Sequence, residues 1–228
     1  MYIMCNAEYE PVRYQFLVSH LKRMEIPDEK IHWVTSIWGK DLTSEQVFEV
    51  YDPFRPRFGI IHNLSYQSHS LSRGEVSVVL TFREAMRQIL RDGHDNAIIF
   101  ESDIMLRYDF KERLAQVLKG CYEEFPDWDY VSLGEGVFTR PPNNNPSYFS
   151  EQKLYSPPHK WVFRCCDSML LRRKFLEKVS QTLMPFRECL DWEMNVQINI
   201  HGGLALWADP PLVEPGTARS RYGSSLPA

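Results

Sequence analysis

No pair among the five cysteines of this 228-residue chain (Cys5, Cys121, Cys165, Cys166 and Cys189) has a C-x-x-C spacing. The odd number and irregular spacing exclude a fully paired disulfide framework and a thiolate zinc site. They read as reduced, partly buried thiols in a reducing compartment. No segment approaches the ~18 consecutive apolar residues of a membrane span, and the opening MYIMCNAEYE lacks the basic and apolar regions of a secretory leader. The expectation is a soluble, cytoplasmic protein without a membrane span. A basic run is also missing, and the formal charge is -4, so there is no bulk attraction to nucleic acid or anionic lipid. A glycine-rich phosphate loop is absent as well.

What is present is an apolar fraction of 43% with aromatics at 13%, enough for one sizeable core. No repeat, heptad or linker divides the chain, so residues 1–228 are read as a single domain. Tyr2 to Cys5 reads as a strand. Pro11 opens a helix whose Tyr14, Leu17, Val18, Leu21 and Met24 share one face. Ile31 to Thr35 is the next strand, and strand–helix–strand at this length is a βαβ unit with parallel strands. Asp52 to Arg73, rich in Pro, Asn, Ser and His, is long for an idle connection and reads as a functional loop.

A helix follows over about 75–91, ended by Gly93, then a buried strand over 97–100. The next helix is capped by Asp109 and stopped by Gly120, and Tyr130 to Leu133 is another buried strand. Phe138 to Ser156 reads as a surface loop. Trp161 to Leu171 is extended, 172–182 and 190–201 are helical, and 204–207 is a last strand before an irregular tail. The pattern is α/β, with a Rossmann-like, mainly parallel sheet flanked by helices.

The most informative stretch is NAIIFESDIML, Asn96 to Leu106. A buried strand ends there in Glu101 and Asp103, with Ser102 between them. In an open parallel sheet, ligands bind beyond the carboxyl ends of the strands. Alternation sends both acids to one side, where they repel unless a cation or basic group lies between them. Mg²⁺ or Mn²⁺ suits such a pair; surface ion pairing or a capped turn would satisfy it too.

The apolar strand followed by E-S-D resembles the D-x-D signature of GT-A glycosyltransferases. SRGEVSVVLTFREAM, Ser72 to Met86, is similar to the G-E-(I/V)-x-x-x-x-S-H segment of glycosyltransferase family 25, the group of lipopolysaccharide and collagen sugar transferases with relatives in large DNA viruses. LDWEMN, Leu190 to Asn195, resembles the family's (V/I)-D-W helix, and ADPPLVEPGTARSRYGSSL, Ala208 to Leu226, its P-P-L-V-x-Q-G-S segment. The match runs from Ser72 to the C-terminus; the first 60 or so residues agree only in outline. Glu101 stands where the first Asp is usual, Thr81 and Phe82 replace Ser-His, and Pro215 replaces Gln.

The resemblance implies a GT-A-like fold and a metal-dependent transfer of a sugar from a nucleotide-sugar, with UDP the favoured nucleotide, to a glycan or glycoprotein acceptor with inversion. Residues 1–103 would form the nucleotide-binding half and 104–228 the acceptor-binding half. Asp103 would ligate Mn²⁺ or Mg²⁺ directly, and Glu101 would act through water or reach the ribose, with Ser102 beside them. Glu214 is the tail's candidate third ligand or an exposed loop glutamate. Arg219 and Arg221 are placed to neutralise the departing diphosphate or are simply solvated.

The nucleotide end falls to Cys5, Asn6 and Ala7 after the first strand and to Thr35 and Ser36 after the second. Ser72, Arg73 and Gly74 would approach the diphosphate-sugar, glycine permitting close backbone contact; Arg73 could equally pair with an acid of the core rim. Inversion needs a base for the acceptor hydroxyl. Asp191 and Glu193 are the candidates, and their spacing denies them a common helix face; Asp191 is favoured by the D-W match, with helix capping as its other reading. The rival readings are a non-catalytic sugar- or nucleotide-binding relative and a nucleotidyltransferase.

Overall fold

The computed structural model describes residues 1–35, 38–54, 70–134, 151–157 and 165–216. In chain order, β1 (Tyr2–Met4), α1 (Pro11–Arg23), β2 (His32–Val34) and α2 (Ser44–Val50) precede the long helix α3 (Arg73–Asp92). Then follow β3 (Asn96–Phe100), β4 (Ile104–Leu106), α4 (Phe110–Glu123), β5 (Trp128–Ser132) and β6 (Lys153–Tyr155). The chain continues through β7 (Ser168–Arg172), α5 (Arg173–Thr182), α6 (Leu190–Ile200), β8 (Leu204–Asp209) and β9 (Val213–Pro215).

A 7-stranded sheet in the order β2-β1-β3-β7-β5-β8-β6 runs through the described chain, and β4 pairs with β9 in a separate two-stranded ribbon. β1 is parallel to both β2 and β3, and β5 is parallel to β8. β7 is antiparallel to β3 and β5, and β6 to β8. Five strands therefore share one direction, and the α/β expectation of a largely co-directional sheet flanked by helices holds, with β7 reversed at its centre.

Period-two alternation assigns the two faces. Tyr2, Met4, Ala97 and Ile99 pack against α3, α5 and α6, in a core with Val79, Phe82, Phe175, Leu176 and Met194. Ile3, Ile98 and Phe100 face the other way, toward Leu17 and Leu21 of α1, Phe110 and Val117 of α4, and the β4–β9 ribbon. Three layers result, and the sheet is covered on both faces as parallel strands require.

Local signals explain the helix starts. Pro11 occupies the first turn of α1. Ser72 and Glu75 form a reciprocal capping box on α3, and Gly93 closes that helix in the left-handed region at φ 80. Thr43 and Gln46 box the start of α2, a short helix between the second strand and the 52–73 segment, to which the sequence reading assigns no element.

Three local expectations need correcting. Asp109 stands at the start of α4 but makes no side-chain cap; its carboxylate is taken by Arg107 and Arg113, whose charges attract it more strongly than amide dipoles do. Gly120 does not stop α4, which runs on to Glu123. It is a packing glycine instead, because a Cβ there would stand 3.1 Å from Leu154 Cδ1. The loop expected over 138–156 contains β6 at its end, antiparallel to β8 and carrying that leucine.

Candidate active site

The carboxyl ends of β1, β3, β5 and β8 meet one edge of the sheet, and reversal of β7 brings its amino end to the same edge. The β3–β7 register pairs Phe100 with Ser168, and the next backbone bond runs from the Glu101 N–H to the Asp167 carbonyl at 2.9 Å. Register alone therefore sets Glu101 against Asp167, a pairing of like charges that costs stability when both are ionised.

Asp103 follows, 5% exposed, and its carbonyl accepts the Gly216 N–H. The β4–β9 ribbon sets Met105 opposite Glu214, so the tail runs alongside the acidic motif with Glu214 half-buried within it. Ser102 is buried and bound within the amino end of α1: its hydroxyl donates to Glu10 Oε1 at 2.8 Å and accepts from Arg13 Nη1 at 2.9 Å. Glu10 and Arg13 pair at 3.1 Å, so α1 and the E-S-D turn are joined at one point.

Asp191 reaches the same edge from α6, packed on the face that receives Ile99. Its two carboxylate oxygens accept the N–H groups of Cys165 at 2.8 Å and Cys166 at 3.1 Å. Cys165 is held there at φ 69, in the left-handed region that non-glycine residues avoid. Asp191 thus clamps the turn that presents Asp167. It is not the helix cap, which is Cys189. Glu193 is 3% exposed and accepts from the Arg187 and Glu188 N–H groups and from Gln197 Nε2. Its carboxylate braces the segment before α6.

Burial raises the Glu101 carboxyl well above its usual range, and the charges of Asp103, Asp191 and Asp167 push it further while Arg13 pulls it back. Asp167 rises to about 7, chiefly through burial, with the Ser168 hydroxyl opposing and Asp103 and Asp191 adding to the rise. Glu101 and Asp167 therefore both feel the charges of Asp103 and Asp191, and Arg13 moderates Glu101. Asp167 Oδ1 is buried with no hydrogen-bond partner among the described residues. The acids are spread rather than tight: no trio of them within the described residues brings ligand atoms within 4.8 Å. Burial also pushes the Cys166 thiol well above its ordinary value, so that sulfur is no ready nucleophile.

The expected nucleotide-side residues lie on neighbouring turns. Cys5 is buried, Ala7 and Thr35 are exposed, and Asn6 Oδ1 accepts from the Glu8 and Tyr9 N–H groups, closing the turn after β1. The Tyr9 ring stacks on Trp38 at 5.2 Å and its hydroxyl donates to Asp41. Gly39, beside Trp38, lies against the backbone of Arg73 and Gly74, where a Cβ would stand 2.8 Å from three backbone atoms. Arg73 itself donates to Ser44 Oγ at 3.2 Å, so the reading of it as partner to an acid of the core rim is not the contact seen. Ser36, Arg219 and Arg221 lie outside the described residues.

Sequence reasoning missed Asp167, Arg13, Glu10 and Gly134. A Cβ on Gly134 would collide with the Asp167 carboxylate. The glycine two residues past the end of β5 was the available signal, since it marks a place that another group approaches closely.

No family model matches the chain. It aligns with the protein named "Inactive glycosyltransferase 25 family member 3" of Mus musculus at 23% identity over 129 residues, covering 52% of this chain and 21% of the relative. The human protein of the same name is 24% identical over the same length. "Procollagen galactosyltransferase 1" of Danio rerio is 24% identical over 101 residues, covering 44% of this chain and 16% of the relative. The chain is a distant relative of glycosyltransferase 25 family proteins and spans about a fifth of the length of the mouse and human relatives.

Proposed function

We propose that the chain is a glycosyltransferase that uses a divalent cation and a nucleotide-sugar, with UDP the favoured nucleotide and a glycan or glycoprotein as acceptor. The observation that carries this reading is the convergence of Glu101, Asp103, Asp167 and Asp191 at the carboxyl edge of the sheet, with a buried oxygen on Asp167 that has no hydrogen-bond partner among the described residues. Such a charge arrangement is costly without a cation. Its open spacing suits Mn²⁺ or Mg²⁺, which bind through one or two carboxylates and fill the remaining positions with water and phosphate.

Asp103 would hold the cation, with Glu101 and Glu214 as its neighbours on the E-S-D turn and the β4–β9 ribbon. A bound cation would act as a Lewis acid on the leaving diphosphate. Around that place, the chain's own residues orient. The Glu10–Arg13–Ser102 cluster fixes the acidic turn against α1. Asp191 holds the Cys165–Cys166 turn, and through it Asp167, against β3. Asp191 keeps lone pairs beyond the two used by these amides and stands as the candidate base for the acceptor hydroxyl. Glu193 belongs to the supporting frame.

A second reading is favoured by the word "inactive" in the names of the mouse and human relatives: the same site binds nucleotide and sugar without turnover. The two separate in one pair of measurements. Thermal shift with UDP and Mn²⁺, on wild type and Asp103→Asn, reports binding; release of UDP from a panel of UDP-sugars reports catalysis. Metal-dependent UDP binding lost in Asp103→Asn, together with UDP release, is the expected result. Binding without release over the whole panel would assign the non-catalytic reading, and binding unchanged in Asp103→Asn would remove the acids from the site altogether.

A further inference from the structure

At the opposite edge of the sheet, where the parallel strands begin, His32 opens β2, Asp92 closes α3, and His94 follows in the turn before β3. Each offers one ligand atom, and these atoms all lie within 4.8 Å of one another; among the described residues no other group of three or more does so. His32 Nδ1 stands 3.9 Å from Asp92 Oδ2. We propose that His32, Asp92 and His94 form a binding site for a borderline transition-metal ion of the Zn²⁺ class, separate from the acidic site.

The donor set argues for that class. Two imidazoles and one carboxylate suit Zn²⁺, Co²⁺, Ni²⁺ or Cu²⁺, whereas Mg²⁺ and Mn²⁺ prefer oxygen. Three protein ligands with an open side leave the fourth tetrahedral position to water, and Asp92 and His94 are exposed there. The surroundings prepare the ligands. The Tyr2 hydroxyl donates to Asp92 Oδ2 at 2.7 Å, an outer hydrogen bond that orients the carboxylate. The Tyr2 ring lies flat on His32 at 4.5 Å with an interplanar angle of 14° and limits its rotation.

The backbone explains the meeting. Gly93 adopts φ 80 and turns the chain sharply off α3, so His94 comes back beside Asp92 instead of continuing along the helix. Metal–ligand distances of about 2.0 to 2.2 Å require the three atoms to draw together from their present spacing, a movement open to the exposed His94. An ion bound there would tie the starts of β2 and β3 to the end of α3.

The test is calorimetric titration of Zn²⁺ into chelator-treated protein near neutral pH, with Co²⁺ as a spectroscopic substitute. One Zn²⁺ per chain is expected, with the visible absorption of tetrahedral Co²⁺ and a rise in melting temperature. Affinity should fall about tenfold or more in His94→Ala and in His32→Ala and persist in Asp103→Asn. His94 is exposed, so His94→Ala should fold, which circular dichroism checks. Absence of Zn²⁺ binding, an affinity unchanged in His94→Ala, or a loss in Asp103→Asn alone would overturn the proposal.

Discussion

Gly134 has no side chain where Asp167 has its carboxylate. A Cβ on Gly134 would overlap Asp167 Oδ2 and stand 2.6 Å from Ser168 Oγ. Gly134→Ala should therefore push Asp167 out of place and cost about 1 to 3 kcal/mol, the usual cost of overpacking. Urea denaturation of the variant measures it, and a midpoint equal to wild type would show that the carboxylate has room to move.

Asp191→Asn replaces one of two accepting oxygens by an NH₂ group that faces a backbone donor. The turn at Cys165 and Cys166 loses an acceptor, and leaving a buried donor unmet costs about 1 to 3 kcal/mol. The expected outcome is that loss in stability together with weaker metal-dependent UDP binding, because Asp167 is no longer held. Tight UDP binding retained in a destabilised variant would confine Asp191 to a structural role.

The raised carboxyls make stability depend on pH. Asp167 titrates at 3.8 ordinarily and at about 7 in the folded chain. Between those values the folded state holds a proton that the unfolded state has lost, so stability falls as pH rises from about 4 to about 7 and then levels. Each unit of displacement is worth about 1.36 kcal/mol. Asp167→Asn should flatten this slope in metal-free protein, leaving the part due to Glu101. A slope as steep as wild type in denaturation curves across that range would falsify the assignment to Asp167.

Gly39→Ala tests the contact between the Trp38–Asp41 segment and the start of α3. Its Cβ would meet the backbone of Arg73 and Gly74 at 2.8 Å, and neither is the end of a flexible side chain. A stability loss of about 1 to 3 kcal/mol is expected, with weakened UDP binding by thermal shift if the turn holds the donor. Wild-type behaviour in both measurements would show that α3 yields without consequence.

The first βαβ unit was legible because its signals are local: Pro11 at a helix start, apolar residues at helical spacing, and short apolar strands on either side. The position of Glu101 and Asp103 at a strand end was legible for the same reason. Asp167 was not. An extended reading over Trp161 to Leu171 ran straight through it, and a buried antiparallel strand shows the same apolar run as a parallel one. Nothing nearby in sequence announces that β7 is reversed and starts at the edge where β3 ends. Spacing told that Asp191 and Glu193 point apart, but their partners, the amides of 165–166 and of 187–188, are determined by tertiary packing. The β4–β9 ribbon was hidden because each strand has only three residues and its partner lies about a hundred positions away.

That ribbon has a consequence for the order in which the molecule comes into being. The carbonyl of Asp103 is met by the N–H of Gly216, and Met105 by Glu214. A nascent chain therefore carries its acidic turn with that flank uncovered until residues 213 to 216 have been made, and the turn gains its neighbour only when β9 arrives. A polypeptide released before residue 213 would keep the seven-stranded sheet's sequence and still lack the strand that flanks the acidic turn.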